Sequence, residues 1–478
     1  MLKRQGERPS AEPERAARER TIGLSQSVSD PDLFLTPIYF RFIPAKSCLD
    51  RFDDLQIRIP CSARCARSCR CGPALPPGRA VTAPSVLVAG GGIGGLSAAL
   101  ALGRAGWPVQ LFEKAQAFSE VGAGLQLGPP AVRILQAWGL GRELLQAACL
   151  PQALVFLCAL SGQELALLPL GQRAVSVYGA PYLTLHRADL HSLLLGAVQA
   201  GGCTELRLGC EARLEGHSDH DVTLSWPGGS ASGQALIGAD GLWGATPWLA
   251  DGPPRATGHL AYRSLIPIDA VALAQRRMQV SVWLGPRLHV VAYPVRGGEC
   301  LNLVVIVQGQ PPADPQSWDH AALGADLQQA MQGACTALQD LVRAAGRWRL
   351  WTLFDRPPMR SAQDMARGRM ALLGDAAHPM LPFLAQGAAM AIEDAAELGR
   401  CLAGLAQRPD QPEALPAALL SYAQARWPRA ARVQQRSRRN GQIFHLSGPL
   451  RLARNAALRL AGPRLMDLPW LYGHRVAL

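Results

Sequence analysis

The chain has 478 residues, enough for two or three domains with sizeable cores, and 49% of them are hydrophobic, as in a globular protein. The net charge of +12 comes from basic residues spread along the chain, without an aromatic-interleaved basic stripe, zinc-finger spacing or RNA-binding signature, so no nucleic-acid partner is expected. Of 12 cysteines, Cys61, Cys65, Cys69 and Cys71 cluster in a spacing that is not a usual zinc pattern, so no metal site is expected; the others read as single buried thiols of a reducing compartment.

Residues 1–84 hold Arg/Glu runs (ERPSAEPERAARERT), the cysteine cluster and a Pro/Gly stretch, with poor periodicity. They read as disordered, or as an extension ahead of a natural start near Val81, which mass spectrometry of the native N-terminus would distinguish. No secretory signal is evident, and a cytoplasmic location is expected. From Ser85 the pattern becomes α/β. Val86–Gly103 is uncharged and approaches transmembrane length, but Gly90, Gly91, Gly92, Gly94 and Gly95 and a strand-then-helix pattern argue for a buried βα unit, so no membrane partner is expected.

GGGIGG gives GxGxxG with Gly90, Gly92 and Gly95, after the predicted strand SVLVAG and at the start of a helix. The first glycine permits a tight turn, the second lets backbone N–H groups approach a pyrophosphate, and the third allows close packing of helix on strand. Glu113 ends the next strand, PVQLFEK, where an acid binds ribose hydroxyls. A glycine-rich structural turn is the competing reading; strand, helix and acid together favour a dinucleotide.

Residues 151–180 and about 257–355 are richer in alternating strand patterns. In WLGPRLHVVAYPV, His289 and Tyr293 are four apart and share a strand face. They read equally as a reactive pair and as a packed His and Tyr. Tyr262 and Arg263 begin another strand of the same region. Further on, Met370–Leu373 reads as a buried strand, followed by a turn with Asp375, His378, Pro379, Pro382 and Gln386–Gly387, then an Ala-rich helix closed by Glu393 and Asp394. Helical, Ala-rich sequence continues to about Arg439. There is no second GxGxxG with a matched acid.

GDAAHPMLPFLAQGAAMAIEDA resembles the second FAD motif of the class A flavoprotein monooxygenases, and its wording is closest to the salicylate hydroxylase and 3-hydroxybenzoate 6-hydroxylase branch. EVGAGLQLGP, LHRADLHSLL, GADG and RVQQRSRRNGQIFHLSGPLRLARN agree with it; the resemblance runs from about Ser85 to the end. It implies an α/β fold: a Rossmann-type FAD-binding domain (para-hydroxybenzoate hydroxylase-like) with an inserted β-sheet substrate domain. The expected division is 1–84 extension, 85–256 FAD-binding domain with substrate-domain strands near 151–180, 257–356 substrate-domain sheet, 357–440 second FAD-binding part and 441–478 helical cover. That cover could pair subunits as a homodimer.

The resemblance further implies an FAD-dependent enzyme that consumes NADH or NADPH as a transient co-substrate. It would use O2 to hydroxylate a small aromatic substrate through a flavin C4a-hydroperoxide. Asp375 would accept ribityl or ribose hydroxyls. The helix beginning at Gly387 and Ala388 would aim N–H groups at the flavin pyrimidine end. Arg187 would contact the flavin chain or phosphate, although a surface Arg at a helix start is the plainer reading. Asp240 would lie beside the FAD. The family usually continues GADG with Ser and Arg, where this chain has Gly244 and Pro247, and Pro130 stands where the family often has Asn. His289 would take the phenol proton, Tyr293 would hold a hydroxyl or carboxylate, and Gln386 would line the site; His378 reads as structural. Other readings are a flavin oxidase or dehydrogenase, a tailoring monooxygenase on a larger phenolic, and a flavin-binding protein with little catalysis.

Overall fold

The computed structural model describes residues 85–118, 123–244, 253–312, 314, 320–322, 324–408, 411 and 413–477. The cysteine cluster, the N-terminal extension and Pro247 lie outside these residues. Two sheets organise the fold. The first has six strands in the order Ala366–Arg367, Met370–Leu372, Ala235–Gly238, Val86–Ala89, Val109–Glu113, Thr204–Leu208. All neighbours run parallel except the first pair. Its central strands are short apolar runs because both faces are covered: VLVA and ALIG are buried at every residue. One face carries helices Ile93–Arg104, Arg187–Gly201 and Gly387–Leu402, and the other carries a three-stranded antiparallel sheet, Arg213–His217 to Gly229–Gly233.

Helix Ile93–Arg104 is apolar almost all round because it is packed almost all round. The transmembrane-like stretch is therefore a strand and a helix, and among the described residues no helix is long and apolar enough to cross a membrane.

The second sheet has eight strands in the order His320–Ala322, Trp348–Asp355, Arg255–Pro267, Cys300–Gln308, Leu288–Val295, Val280–Gly285, Ala153–Cys158, Glu164–Pro169. It is antiparallel except where Val280–Gly285 meets Ala153–Cys158. Alternation along Leu288–Val295 divides its side chains. Leu288, Val290 and Ala292 pack under helix Thr336–Arg343, whereas Val291 and Tyr293 join the core on the opposite face, the face His289 shares. Tyr262 packs with the first group, so it points away from Tyr293, while Arg263 points toward it.

Four expectations need correction. The Ala-rich helix does not close at Glu393 and Asp394 but continues to Leu402, because both carboxylates are buried and paired with arginines of the next helix. Residues 171–178 form a helix within the stretch read as strands, and residues 441–444 belong to the 31-residue helix Ala414–Phe444, which precedes the cover helix Gly448–Met466. Of the seven described cysteines, only Cys149, Cys158 and Cys300 are buried; Cys203 is exposed, and all seven are free thiols.

Candidate functional site

The glycine loop sits at the carboxyl end of the central strand. Gly90 has φ +102°, a left-handed backbone, and a Cβ there would run into the Ala239 carbonyl. A methyl on Gly95 would overlap the Gly90 carbonyl oxygen, so that glycine seats the helix on the strand. Gly92 differs: a Cβ there would meet nothing within 4 Å. It caps helix Ile93–Arg104 with no side chain on the exposed N–H groups. An open, uncapped helix start beside an absent side chain is a cradle of the kind a pyrophosphate fills. Glu113 faces this loop; its carboxylate accepts from Gly91 N (2.7 Å) and Ala115 N (2.9 Å).

The second strand-to-helix turn lies across the same crevice. Gly374 has φ +61°, and its N–H donates to Asp394 (3.1 Å). Asp375 is open to solvent although protein surrounds it, as befits a group on a crevice floor; burial raises its carboxyl, while His378 and Arg187 pull it down. Arg187, the first residue of its helix, thus stands close to Asp375, and its charge also reaches Arg263. Helix Gly387–Leu402 starts with no side-chain cap, and Gly387 and Ala388 are half-exposed at its tip. Asp240 lies two residues beyond the neighbouring strand, Ala235–Gly238. Its carboxylate fills the space that a Cβ on Gly244 would need, and Arg356 acts on it electrostatically. The N–H groups of the two helix tips, one of them the open cradle, as donors and the acids Glu113, Asp240 and Asp375 as acceptors are the set that an FAD requires, and the residues fit it.

A buried ionic network holds this crevice. His378 Nε2 lies 2.6 Å from Asp394, and Arg426 bonds both Asp394 (2.7 Å) and Glu393 (2.9 Å); Arg429 grips Glu393 from a second side. His378 therefore fixes the turn.

Next to the crevice lies a cavity of about 570 Å3. Pro382, Phe383, Leu384 and Ala385 wall it on the crevice side, with Ala385 in the left-handed region at φ +52°. Phe156, Val280, Val282 and Val291 of the large sheet line another side; the long helix and the cover helix close it. The wall is mostly apolar. Its polar groups include His289, Gln126, Asn440, Arg436, Arg439 and Arg454.

His289 is 1% exposed, with Nδ1 2.8 Å from His445 Nε2. Burial, then His445, then His259 hold its imidazole well below the ordinary range, so it is neutral. Tyr293 lies one layer behind the cavity wall, packed on Gly124 and facing Gln126 and Arg263; burial pushes its hydroxyl well up. Arg263 stacks 4.3 Å over Trp351 and is itself lowered by burial to about 10. Gln386 is also behind the wall, 2% exposed, its Nε2 donating to Leu384 O.

The structure thus gathers Gly90, Gly92, Gly95, Glu113, Arg187, Asp240, Asp375, Gly387 and Ala388 around one crevice and puts His289 on the adjoining cavity. His259, His445, Arg436, Arg439 and Phe383 were missed. His445 stands in NGQIFHLSG, a stretch noted only for its resemblance, and a lone histidine carries no spacing signal.

The family model described as "FAD binding domain" matches residues 83–437. A 3-hydroxybenzoate 6-hydroxylase of Aquipseudomonas alcaligenes is 36% identical over 81% of this chain and 97% of its own length. A 6-hydroxynicotinate 3-monooxygenase of Bordetella bronchiseptica is 37% identical over 75% of this chain and 91% of its own. Among solved structures, a salicylate hydroxylase–substrate complex superposes with a TM-score of 0.68 at 26% identity, covering 82% of this chain and 95% of that one. Klebsiella pneumoniae HpxO with FAD and uric acid gives 0.69 at 27%, covering 80% and 94%.

Proposed function

Because the chain belongs to the FAD-binding-domain family, and within it to the class A flavin-dependent aromatic monooxygenases, we propose that it hydroxylates a small phenolic acid of the hydroxybenzoate or salicylate kind, drawing hydride from NADH or NADPH and oxygen from O2. The observation that carries this reading is a neutral, buried imidazole, His289, set in an apolar cavity and packed 5.2 Å, ring to ring, from Phe383 of the turn beside the FAD crevice. The apolar wall suits an aromatic ring, His289 suits a phenol hydroxyl, and Arg436 and Arg439 suit a carboxylate.

FAD, when bound, supplies the redox and oxygen chemistry. Gly90, Gly92 and the helix start after them would hold its pyrophosphate, Glu113 a ribose, and Asp375 with Arg187 the ribityl chain. Gly387 and Ala388 would present N–H groups to the ring's polar end, with Asp240 beside the cofactor. The protein's own contribution is orientation and protonation. His289 Nδ1 is engaged by His445, so its Nε2 takes the phenol proton, and the phenolate has a more electron-rich ring. Tyr293 stays a neutral hydroxyl and positions Gln126 and the substrate end of the cavity; Gln386 supports the wall. The apolar lining keeps water away from the reacting atoms.

The test is NADH and NADPH oxidation by the FAD-loaded protein with salicylate, 3-hydroxybenzoate and related phenols, counting hydrogen peroxide beside product. A phenol that speeds oxidation and is recovered hydroxylated, with little peroxide, supports the proposal. Oxidation that stays slow with every phenol, or that yields peroxide alone, refutes it. A larger phenolic substrate is the second reading, favoured by the cavity volume, about 570 Å3, which falls in the range that encloses drug-sized ligands. We also propose a cytoplasmic homodimer joined through the cover helix, on which Leu450, Leu452 and Leu460 are exposed; light scattering of the purified protein reads the mass directly.

A further inference from the structure

The register of the large sheet gives the cavity a length. His289 is level with Leu284, Val291 with Val282 and Phe156, and Val280 with Leu154. Each level is two residues from the next. At about 3.3 Å per residue the lining therefore runs about 13 Å from His289 to Val280 and Leu154. Tyr293, next after the Ser281–Ala292 pair, shares the level of Val280. Gln126 marks this far end: it accepts from the Tyr182 hydroxyl (2.7 Å) and bonds the Tyr293 hydroxyl. Between the two polar ends the wall is apolar. Val291, Val282 and Phe156 of the sheet share one core with Leu458 and Met466 of the cover helix.

The charge is gathered at the His289 end. Arg436 and Arg439 lie three residues apart on the long helix, interleaved with Ser437 and Asn440. Those two donate to the carbonyls of Leu381 (2.6 Å) and Phe383 (3.2 Å), and the Phe383 ring packs 5.2 Å from His289. Arg436 Nε is buried without a partner, and burial, then the Arg439 charge, lower its guanidinium. The third cation, Arg454, is taken up by Asn455 and by the carbonyls of Ile443 and Phe444. Among the described residues no Asp or Glu lines the cavity. Two guanidinium groups that repel one another, with no acid between them, suit a carboxylate.

Packed aromatic rings lie about 4.5–7 Å apart, so a trough of about 13 Å takes two ring widths or their alkyl equivalent. One hydroxybenzoate ring on His289 leaves the far half to water, which favours peroxide over product. We propose that the substrate is a phenolic acid with an apolar arm: its carboxylate on Arg436 and Arg439, its phenol hydroxyl on His289, and an alkyl chain or second ring laid along Val291, Val282 and Phe156. The inference rests on the phenol-hydroxylase reading and says which larger phenol the cavity takes. An arm that ends in a hydroxyl or keto group meets Gln126 and Tyr182; a purely apolar arm stops at Val280 and Leu154.

The test follows NADH and NADPH oxidation, hydroxylated product and peroxide with the FAD-loaded protein. The compounds are salicylate and 3-hydroxybenzoate, and the same acids carrying n-propyl, n-pentyl or phenyl at each free ring position in turn. At one position the arm should lower KM by about fourfold per methylene, as burial of a CH2 does, and should lower the share of peroxide. Val282→Phe fills the middle of the trough and should erase the difference in KM between the pentyl acid and the plain one. A difference that persists in that variant overturns the placement of the arm; if the variant does not fold, the wild-type series decides alone. Plain acids with a lower KM than every substituted one overturn the inference and leave the hydroxylase reading standing. If no acid, plain or substituted, is hydroxylated, that reading fails and the inference with it.

Discussion

Replacing Arg426 by methionine removes the cation that bridges Glu393 and Asp394. Arg426 is 1% exposed and both carboxylates are fully buried. Glu393 would keep Arg429, but Asp394 would keep only His378 and the Gly374 N–H. Breaking a buried pair by deleting one partner costs about 3–5 kcal/mol, because a charge is left without compensation. That is a large share of a total stability of about 5–15 kcal/mol. At about 2–4 °C per kcal/mol for large domains, the melting point should fall by roughly 6–20 °C. Thermal unfolding of the FAD-free protein, followed by circular dichroism, measures this directly. Adding Asp394→Asn to Arg426→Met removes the orphaned charge and should restore part of the loss. FAD affinity should fall in the single variant as well, since Asp394 anchors the Gly374 turn. A loss under about 2 °C, or a double variant no better than the single, would refute the view that this network holds the crevice together.

Further outcomes follow from the same geometry. Gly92→Ala should melt within about 1 kcal/mol of wild type, since its methyl meets no atom within 4 Å. It should nevertheless bind FAD about 10- to 100-fold more weakly, through loss of one or two charge-assisted hydrogen bonds, as flavin-fluorescence titration would read. Gly95→Ala should not fold, because its methyl overlaps the Gly90 carbonyl; soluble yield and circular dichroism test this. Burial raises the Asp394 carboxyl, but His378 and Arg426 overcome that and bring it from 3.8 to about 2. A depressed folded value means its stabilisation is complete above pH 3.8 and is lost as pH falls toward about 2; melting points across that window should drop, less steeply in Asp394→Asn. Gly441→Ala puts a methyl 2.6 Å from the Phe383 ring and should cost about 1–3 kcal/mol in denaturant unfolding, despite the gain in helix propensity.

The FAD crevice was legible in the sequence because its determinants are local. Gly90, Gly92, Gly95 and Glu113 lie within one βα unit, so spacing alone places them; Asp375 and Gly387 lie within one short stretch between strand and helix, and the resemblance of that stretch placed them. The cavity was not, because its walls come from strands, a proline-rich turn and two C-terminal helices. Glu393 and Asp394 were read as a helix end, but they are buried mid-helix; their partners Arg426 and Arg429 lie more than 30 residues on, beyond any local pattern. His289 and Tyr293 were correctly set on one strand face, but strand period cannot tell that His289 reaches the cavity while Tyr293 stops behind Gly124. His445 and His259 become visible only once helix and sheet are brought together.

Helix Ala414–Phe444 has 31 residues and so spans roughly 46 Å at 1.5 Å per residue. Its first half carries Arg426 and Arg429, clamped to Glu393 and Asp394; its far end carries Arg436, Arg439, Asn440, Ile443 and Phe444 on the cavity wall. It behaves as a tool with a fixed handle and an interchangeable tip. Drift at the tip can reshape what the cavity admits while the handle keeps its grip beside the cofactor. New substrate preferences are therefore most cheaply reached, by selection or by engineering, through the cavity-lining positions 436, 439, 443 and 444, and changes at 426 or 429 would jeopardise the crevice before they altered the choice of substrate.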